Sequence, residues 1–248
     1  TLAFAQKENK FNESHDLTYP LHLTNDRTLA SAGRQIFFGD SLLENHAMDA
    51  VLSPDGKWLA VEERYSLVIL DTQRKKVVHT LLLKDIPQLN TSQRRAMNTY
   101  SGIQWNKVNG SDRITWSTVD GNIANSYVIQ VEWDGKTTKV KHLYPFDARK
   151  PAATALPNEL LIRQEQNVNV MYVVLNGNNQ LVKLDMDSGK KIWTAETGIA
   201  PYGISVADNK LYVTNWAGRI PDTMDNNVAG VPWGNARIDT SNAATREG

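Results

Sequence analysis

The sequence predicts an all-β protein, a β-propeller built from four-stranded blades, because one pattern recurs along the chain. The pattern is a strand, a tight turn, a second strand that ends at an aspartate, another turn and another strand. It occupies residues 49–83, returns at 171–194 and starts again at 201–216. Units that repeat every ~40–55 residues in this way are typical of propeller blades. Two further observations agree with it: the turns carry hairpin residues, and several strands are continuous apolar runs.

The first complete blade is predicted over residues 47–83. Its first turn is a Ser-Pro-Asp-Gly sequence that starts at Ser53. The proline presets φ, the aspartate caps the turn and the glycine takes a positive φ. Residues 67–70 are all apolar and precede Asp71, as expected of a strand that neighbouring blades cover on both faces.

Later blades follow the same pattern. The second is predicted over residues 103–144, where an Asp-Gly-Lys hairpin sequence begins at Asp134. The third is predicted over 158–198, and the fourth starts at Tyr202. About four blades are therefore visible in the sequence.

Three segments lie outside the blade pattern. Residues 28–38 resemble two short strands, and in propellers a first strand often completes the last blade. Residues 84–102 are predicted to be an insertion between blades, in which 90–97 could form a short helical turn. Residues 217–248 are rich in Asp, Asn, Gly and Pro and show little strand pattern. A strand and its aspartate turn are expected after this segment, so the chain is interpreted as the front part of a longer polypeptide.

Composition excludes several kinds of protein. The 248 residues are 41% hydrophobic and 22% charged, with a formal net charge of zero, so a general nucleic-acid binder with a basic excess is disfavoured. No apolar run approaches the roughly 20 residues of a membrane span. Cysteine is absent, which excludes disulfides, thiol nucleophiles and thiolate metal sites.

The first residues predict export. Ala3-Phe4-Ala5 has the small-x-small form of a signal-peptidase site and precedes a polar stretch. We therefore expect residues 1–5 to be the remnant of a signal peptide, 6–27 a flexible leader and 28–248 the N-terminal portion of the propeller. The expected location is the periplasm, the cell surface or the medium.

Motifs for cofactors, metals and catalysis are missing from the sequence. It contains no P-loop, dinucleotide fingerprint, His-Glu-x-x-His or Gly-x-Ser-x-Gly. None of the five histidines lies two to four residues from another, as a local zinc-binding pair would. The Asp-Met-Asp-Ser-Gly stretch from Asp185 resembles the start of a calcium loop, but it coincides with a blade turn and lacks the later ligands. No catalytic residue, metal or cofactor is predicted.

Five residues are predicted to bind a ligand near the ends of strands. Trp216 stands at the end of a strand, and Arg219 follows in the next loop. An aromatic ring and an arginine at a loop mouth suit an anionic or planar ligand, and they suit loop anchoring equally well. Arg64, Arg163 and Tyr202 are placed near strand ends, where a propeller's central channel opens. The ligand is expected to be a small molecule or a protein.

Several of these stretches together resemble a known family. They are residues 53–57, 68–71, 181–185, 188–190, 198–203 and 211–219. Taken together, they resemble the YncE-like seven-bladed propellers, which share a superfamily with the surface-layer, lactonase-type and nitrite-reductase haem-d1 propellers. The resemblance covers roughly residues 28–220. It implies a ring of seven blades, whose missing blades would come from the same polypeptide or from another chain.

A more specific resemblance concerns two short stretches. Asn-Trp-Ala-Gly-Arg at 215–219 and Ala-Gly-Arg-Gln-Ile at 32–36 look most like bacterial exported proteins. In those proteins such a propeller precedes a phosphoesterase domain of the alkaline-phosphatase type. The resemblance implies that any phosphoesterase chemistry would lie in sequence beyond residue 248, and that this chain is the accessory propeller.

Three functions therefore compete. The first is a non-catalytic binding or scaffold propeller, which the blade repeats without a catalytic constellation favour. The second is a propeller hydrolase of the lactonase kind with a site at the channel mouth, which could recruit Asn215, Asp222 and Glu62. The third is a single-stranded nucleic-acid-binding propeller, which the zero net charge makes unlikely.

Overall fold

A computed structural model gives the structure of part of the chain. It describes residues 21–22, 28–29, 35–39, 45–87, 89, 96–119, 125–225, 228–231 and 234–237. Short strands β1 (Leu21–His22) and β2 (Thr28–Leu29) pair with each other near the N-terminus. The predicted signal-peptide remnant and residues 90–95 of the predicted helical turn lie outside the described residues.

Three four-stranded antiparallel sheets confirm the predicted blades. The first sheet contains β3 (Ala47–Leu52), β4 (Trp58–Glu63), β5 (Ser66–Asp71) and β6 (Lys76–Leu82). The second contains β7 (Met97–Val108), β8 (Ser111–Val119), β9 (Asn125–Trp133) and β10 (Thr138–Asp147). The third contains β11 (Pro157–Glu165), β12 (Val168–Leu175), β13 (Gln180–Asp185) and β14 (Lys191–Glu196).

A fourth sheet starts as predicted and contains two strands, β15 (Pro201–Ala207) and β16 (Lys210–Asn215). The first strands of the four sheets are neighbours in space: β3 contacts β7, β7 contacts β11, and β11 contacts β15. These four inner strands therefore lie in the order of the chain around one centre, as in a propeller. Among the described residues the ring is open, and β16 pairs with β15 alone.

Apolar side chains between neighbouring sheets form the core. Trp58 of the first sheet meets Trp133 of the second edge to face, with ring centroids 5.5 Å apart. Both belong to one buried cluster with Trp105 and Trp116. A second cluster joins the second sheet to the third. The predicted role of most tryptophans, packing between blades, is confirmed at these four positions, where each ring buries a large apolar area.

Aspartates at the ends of third strands hold the outer turns. Asp71 accepts the backbone N–H groups of Gln73 and Arg74, and Asp185 accepts that of Ser188. Such short-range bonds close the turn and explain why the aspartate recurs in each blade. They also lower the pKa of both carboxyls. The interpretation of Asp185 as a turn residue is confirmed.

Two of the predicted boundaries are wrong. β7 begins at Met97, so residues 97–102 belong to a strand and not to the insertion predicted over 84–102. The pairing of β7 with β8 shifts between Asn98 and Ile103. The residues of this part therefore do not show the apolar–polar alternation by which a strand is recognised in a sequence. In the segment 217–248, which was predicted to have little strand pattern, β17 (Val228–Val231) and β18 (Gly234–Arg237) form a hairpin.

Helical structure in the described part of the chain is confined to a 3-10 turn at Leu83–Asp85. None of the described residues forms a helix with the length and apolar character needed to cross a membrane.

Candidate functional site

Each inner strand breaks its register near its start. The break lies between Ala47 and Asp49 in β3, between Asn98 and Ile103 in β7, between Pro157 and Leu160 in β11, and between Pro201 and Ile204 in β15. Contacts between them place the four bulges at one end of the sheets: Gly102 meets Asp49 and Asn158, and Tyr202 meets Tyr100. We call this the bulged end and define it by residues 48, 99–102, 158–159 and 202–203. Bulges are a common way to re-aim side chains beside a site.

Local sequence explains two features of the bulged end. Proline opens β11 and β15, a position at which the missing N–H costs no ladder bond. Gly102 has φ +110°, and a Cβ on this residue would lie 2.1 Å from the carbonyl oxygen of Asn158. Only glycine permits this close approach of β7 to β11.

Side-chain amides and a hydroxyl tie neighbouring sheets together at this end. Asn98 donates to the carbonyl oxygen of Ser66 (2.9 Å) and accepts the indole N–H of Trp116 (2.9 Å). The Ser117 hydroxyl donates to the carbonyl oxygen of Asn158 (2.7 Å), and the Asn176 amide donates to that of Pro201 (2.9 Å). These buried bonds hold the bulges in a fixed geometry.

Aromatic rings form an exposed platform at the bulged end. Tyr202 and Trp216 stack with centroids 4.8 Å apart and an interplanar angle of 20°, and we call this pair the aromatic platform. Trp216 is 57% exposed although it is the largest kind of apolar side chain. The Tyr202 hydroxyl donates to the carbonyl oxygen of Tyr100 (3.4 Å), whose own side chain is 60% exposed. Exposed aromatic rings on a fixed backbone suit the binding of a ring-bearing ligand.

Three carboxyl groups lie close together beneath the bulges. Glu62 of β4 is completely buried, and neither of its carboxylate oxygens has a hydrogen-bond partner in the part of the chain that the structure describes. Burial raises its pKa well above the ordinary value, and the negative charges of Asp49 and Glu159 raise it further. Burial, followed by the charge of Asp49, also raises the pKa of Glu159 to about 7. We call Asp49, Glu62 and Glu159 the acid pocket.

Other buried polar atoms of the bulged end also lack partners. They are the hydroxyl oxygen of Ser101 and both the oxygen and the nitrogen of the Asn158 side-chain amide. Asp49 has a hydrogen-bond partner in this region, because one of its carboxylate oxygens accepts the backbone N–H of Gly102 (3.0 Å). Buried polar groups are normally paired in folded proteins, so these atoms indicate hydrogen-bonding capacity that the described residues do not use.

Four of the five residues predicted to bind a ligand lie in or next to this region. Tyr202 and Trp216 form the platform. Arg64 occupies the turn after β4, where its N–H donates to the carbonyl oxygen of His46 (3.1 Å) at the start of β3. Arg219 lies three residues after Trp216 and pairs with Asp222 (3.3 Å) and Asp225 (2.8 Å). These acidic partners offset the charge that made Arg219 a candidate for binding an anion.

Arg163 lies at the other end of the sheets. It sits on β11 opposite Val170, near the turn into β12, and lines a groove of about 660 Å³ with Tyr172 and Lys183. Two of the charges that line this groove are paired with each other, since Lys183 contacts Glu165 at 2.6 Å. The structure therefore does not bring Arg163 together with the other predicted residues.

The residues suggested for a propeller hydrolase lie at separate places in or next to the bulged end. Glu62 is in the acid pocket, Asn215 ends β16, and Asp222 pairs with Arg219. Among the described residues, no group of three His, Asp or Glu side chains is placed to hold a metal ion.

Sequence reasoning missed Asp49, Tyr100, Asn158 and Glu159. One signal was available: Glu62 and Glu63 directly follow four residues of a buried strand, where two charges are unexpected. A second was the glycine or proline near the start of three inner strands, which marks irregular backbone. No local feature of the sequence indicates the contacts between different sheets.

Comparisons with known proteins give structural neighbours only. No protein-family model matches the chain, and no curated protein matches it. Among solved structures it is similar to a chain of a nidogen/laminin complex, at 17% identity and a TM-score of 0.43 over 66% of this chain and 54% of that one. It is also similar to a functionally unknown protein from Desulfotomaculum acetoxidans, at 16% identity and a TM-score of 0.45 over 78% and 53%.

A third similar structure is that of the fission yeast SREBP-SCAP binding domains, at 8% identity and a TM-score of 0.36 over 75% of this chain and 41% of that one. The chain thus spans about half the length of the structures that it matches.

Proposed function

We propose that this chain is a non-catalytic binding propeller and that its ligand docks at the bulged end. The observation that carries the proposal is the aromatic platform: two stacked rings, one of them 57% exposed, held where all four inner strands bulge. A tryptophan that only anchored a loop would be expected to bury most of its apolar surface. A ligand with a planar ring would cover it.

Export and a neighbouring hydrolase domain belong to the same proposal. The Ala3-Phe4-Ala5 stretch and the resemblance of residues 215–219 support them. In this view the propeller holds a ligand or partner, and any phosphoesterase chemistry belongs to a separate domain.

A titration with a neutral planar probe tests the binding site. We expect 4-ethylphenol to shift the backbone NMR signals of residues 202–203 and 215–217. The affinity should be weak, roughly millimolar, because a single ring pair contributes only ~1 kcal/mol beyond the area that it buries. Trp216→Ala should abolish these shifts by removing half of the platform.

A second exposed aromatic provides the matched control. Tyr212 is 53% exposed on β16 but lies towards the other end of that strand. Tyr212→Ala should leave the shifts unchanged. Shifts that map to the groove around Arg163, or that survive Trp216→Ala, would contradict the proposed site.

A further inference from the structure

The acid pocket holds a buried carboxyl group that has no hydrogen-bond partner among the described residues. Glu62 is fully buried with both carboxylate oxygens unpartnered. A buried carboxylate without a partner is strongly unfavourable, and folded proteins normally pair it or keep it neutral. Among the described residues, the charged groups that act on it are Asp49, which pairs with it from β3, and Glu159 on β11, and both are acidic. The Thr99 backbone N–H on β7 favours the charged form, but not through a hydrogen bond of normal geometry.

The negative charge of Glu159 acts on Glu62, so the two carboxyl groups lie near each other. The adjoining bulges of β7 and β11 add further unpartnered atoms, which are the hydroxyl of Ser101 and both the oxygen and the nitrogen of the Asn158 amide. Ser101 and Asn158 belong to adjoining bulges, since the Asn158 carbonyl comes within 2.1 Å of the Cβ position of Gly102. An ammonium group offers three donors and a positive charge, and therefore matches this set.

An anion or a metal ion matches it less well. An anion would meet three carboxyl groups, and the charge of Arg219, three residues after Trp216 of the platform, is already balanced by Asp222 and Asp225. For the metal, no group of three His, Asp or Glu side chains in the described ranges has the spacing of a coordination shell. An ammonium group needs fewer ligands than a metal ion, and its hydrogen bonds of ~2.8 Å are longer than metal–oxygen bonds.

The aromatic platform lies across β11, the strand that carries Glu159 of the acid pocket. β11 lies between β7 and β15, yet the Tyr202 hydroxyl of β15 reaches the Tyr100 carbonyl of β7. The side chain of Tyr202 therefore spans the start of β11, where Asn158 and Glu159 form the bulge. Rings beside a cation add cation–π attraction.

We infer that the acid pocket binds the ammonium group of a cationic ligand, with Glu62 and Glu159 as its main partners and the ligand's ring on the aromatic platform. This rests on the proposed function, because the ligand must dock at the bulged end. The ligand class is an amine that bears a planar ring, either a free amine or a lysine side chain next to an aromatic residue.

A matched pair of probes tests the inference. Tyramine is 4-ethylphenol with an added ammonium group, so the ratio of their dissociation constants reports the charge alone. We expect tyramine to bind at least about tenfold more tightly, as charge-assisted hydrogen bonds contribute more than neutral ones. Glu159→Gln and Glu62→Gln should each reduce that ratio towards one and leave 4-ethylphenol binding unchanged.

Two controls define the outcome. Asp208→Asn removes a carboxylate from the β15–β16 turn, away from the bulged end, and should preserve the ratio. A capped Lys-Tyr peptide distinguishes the source: tight binding of the peptide indicates a protein ligand, and tight binding of tyramine alone indicates a free amine.

If 4-ethylphenol binds at the platform and tyramine binds no more tightly, the inference is overturned and the proposed function stands. If neither probe binds at the bulged end, both are overturned. A ratio that both glutamine variants leave intact would also overturn the assignment to the acid pocket.

Discussion

Glu159 and Glu165 lie on the same strand and have opposite electrostatic surroundings. Burial and the charge of Asp49 raise the pKa of Glu159 to about 7. Hydrogen bonds from Lys183 and Tyr172 lower the pKa of Glu165. The two ends of β11 therefore differ in chemistry: at the bulged end Glu159 lies among acids, and at the other end Glu165 pairs with Lys183.

This difference predicts opposite effects of pH on two variants. The pKa of Glu159 is raised from 4.5 to about 7 on folding, so its contribution to stability is lost as pH rises through about 7. The described charged groups that act on it are Asp49 and Glu62, both acidic, so no cation among the described residues reverses this sign. Glu159→Gln should raise the melting temperature at pH 8 by about 2–4 °C, the shift expected for ~1 kcal/mol in a domain of this size, and have little effect at pH 5.

Glu165→Gln is the matched control for that measurement. Its lowered pKa means that the stabilising charge is present at pH 8 and is lost only as the solution becomes acidic. This variant should therefore melt lower than the parent at pH 8. Thermal unfolding at both pH values distinguishes the two, and equal shifts of the same sign would contradict the assigned environments.

The bulges are the elements that the sequence did not predict. Blade positions were predictable because apolar strands, hairpin turns and aspartates repeat along the chain. The stretch Asn-Thr-Tyr-Ser-Gly at 98–102 shows no alternation, since its residues leave the ladder. It was therefore assigned to an insertion. The acid pocket was missed for the same reason, as it depends on where bulges from different sheets meet.

A substitution of Gly102 tests the bulge of β7. Gly102→Ala places a methyl group 2.1 Å from the Asn158 carbonyl oxygen, at a φ of +110°. We expect it to reduce the free energy of unfolding by about 3 kcal/mol or more, because backbone on both sides would have to move. Urea denaturation measures this change.

Gly110→Ala provides the comparison. Gly110 has a φ of +81° but no atom within 4 Å of its Cβ position, so only the cost of the left-handed backbone remains, about 1 kcal/mol. Equal losses for the two variants would show that β7 and β11 do not approach each other as described.

Across the whole molecule, contacts of long sequence separation create the candidate site. Tyr202 reaches Tyr100, 102 residues earlier in the chain, and Glu62 lies near Glu159. Of the predicted ligand residues, only Tyr202 and Trp216 meet in the structure, and they were close in sequence already. Sequence patterns therefore located the strands of the site but not the pairing of its side chains.

The sheets should differ in hydrogen exchange. β12 pairs with strands on both sides and is buried over most of its length. By contrast, β16 pairs with β15 alone among the described residues, and every second residue of β16 is exposed. We expect the amides of β12 to exchange at least about 100-fold more slowly than those of β16, since exchange follows the local free energy of opening. Similar rates in both strands would mean that β16 is covered in solution.

A crystal structure of the protein soaked with tyramine tests the central claim most directly. The account predicts the phenol ring against Trp216 and the ammonium nitrogen within ~3 Å of a carboxylate oxygen of Glu159 or Glu62. Tyramine in the groove around Arg163, with the bulged end empty, would contradict it.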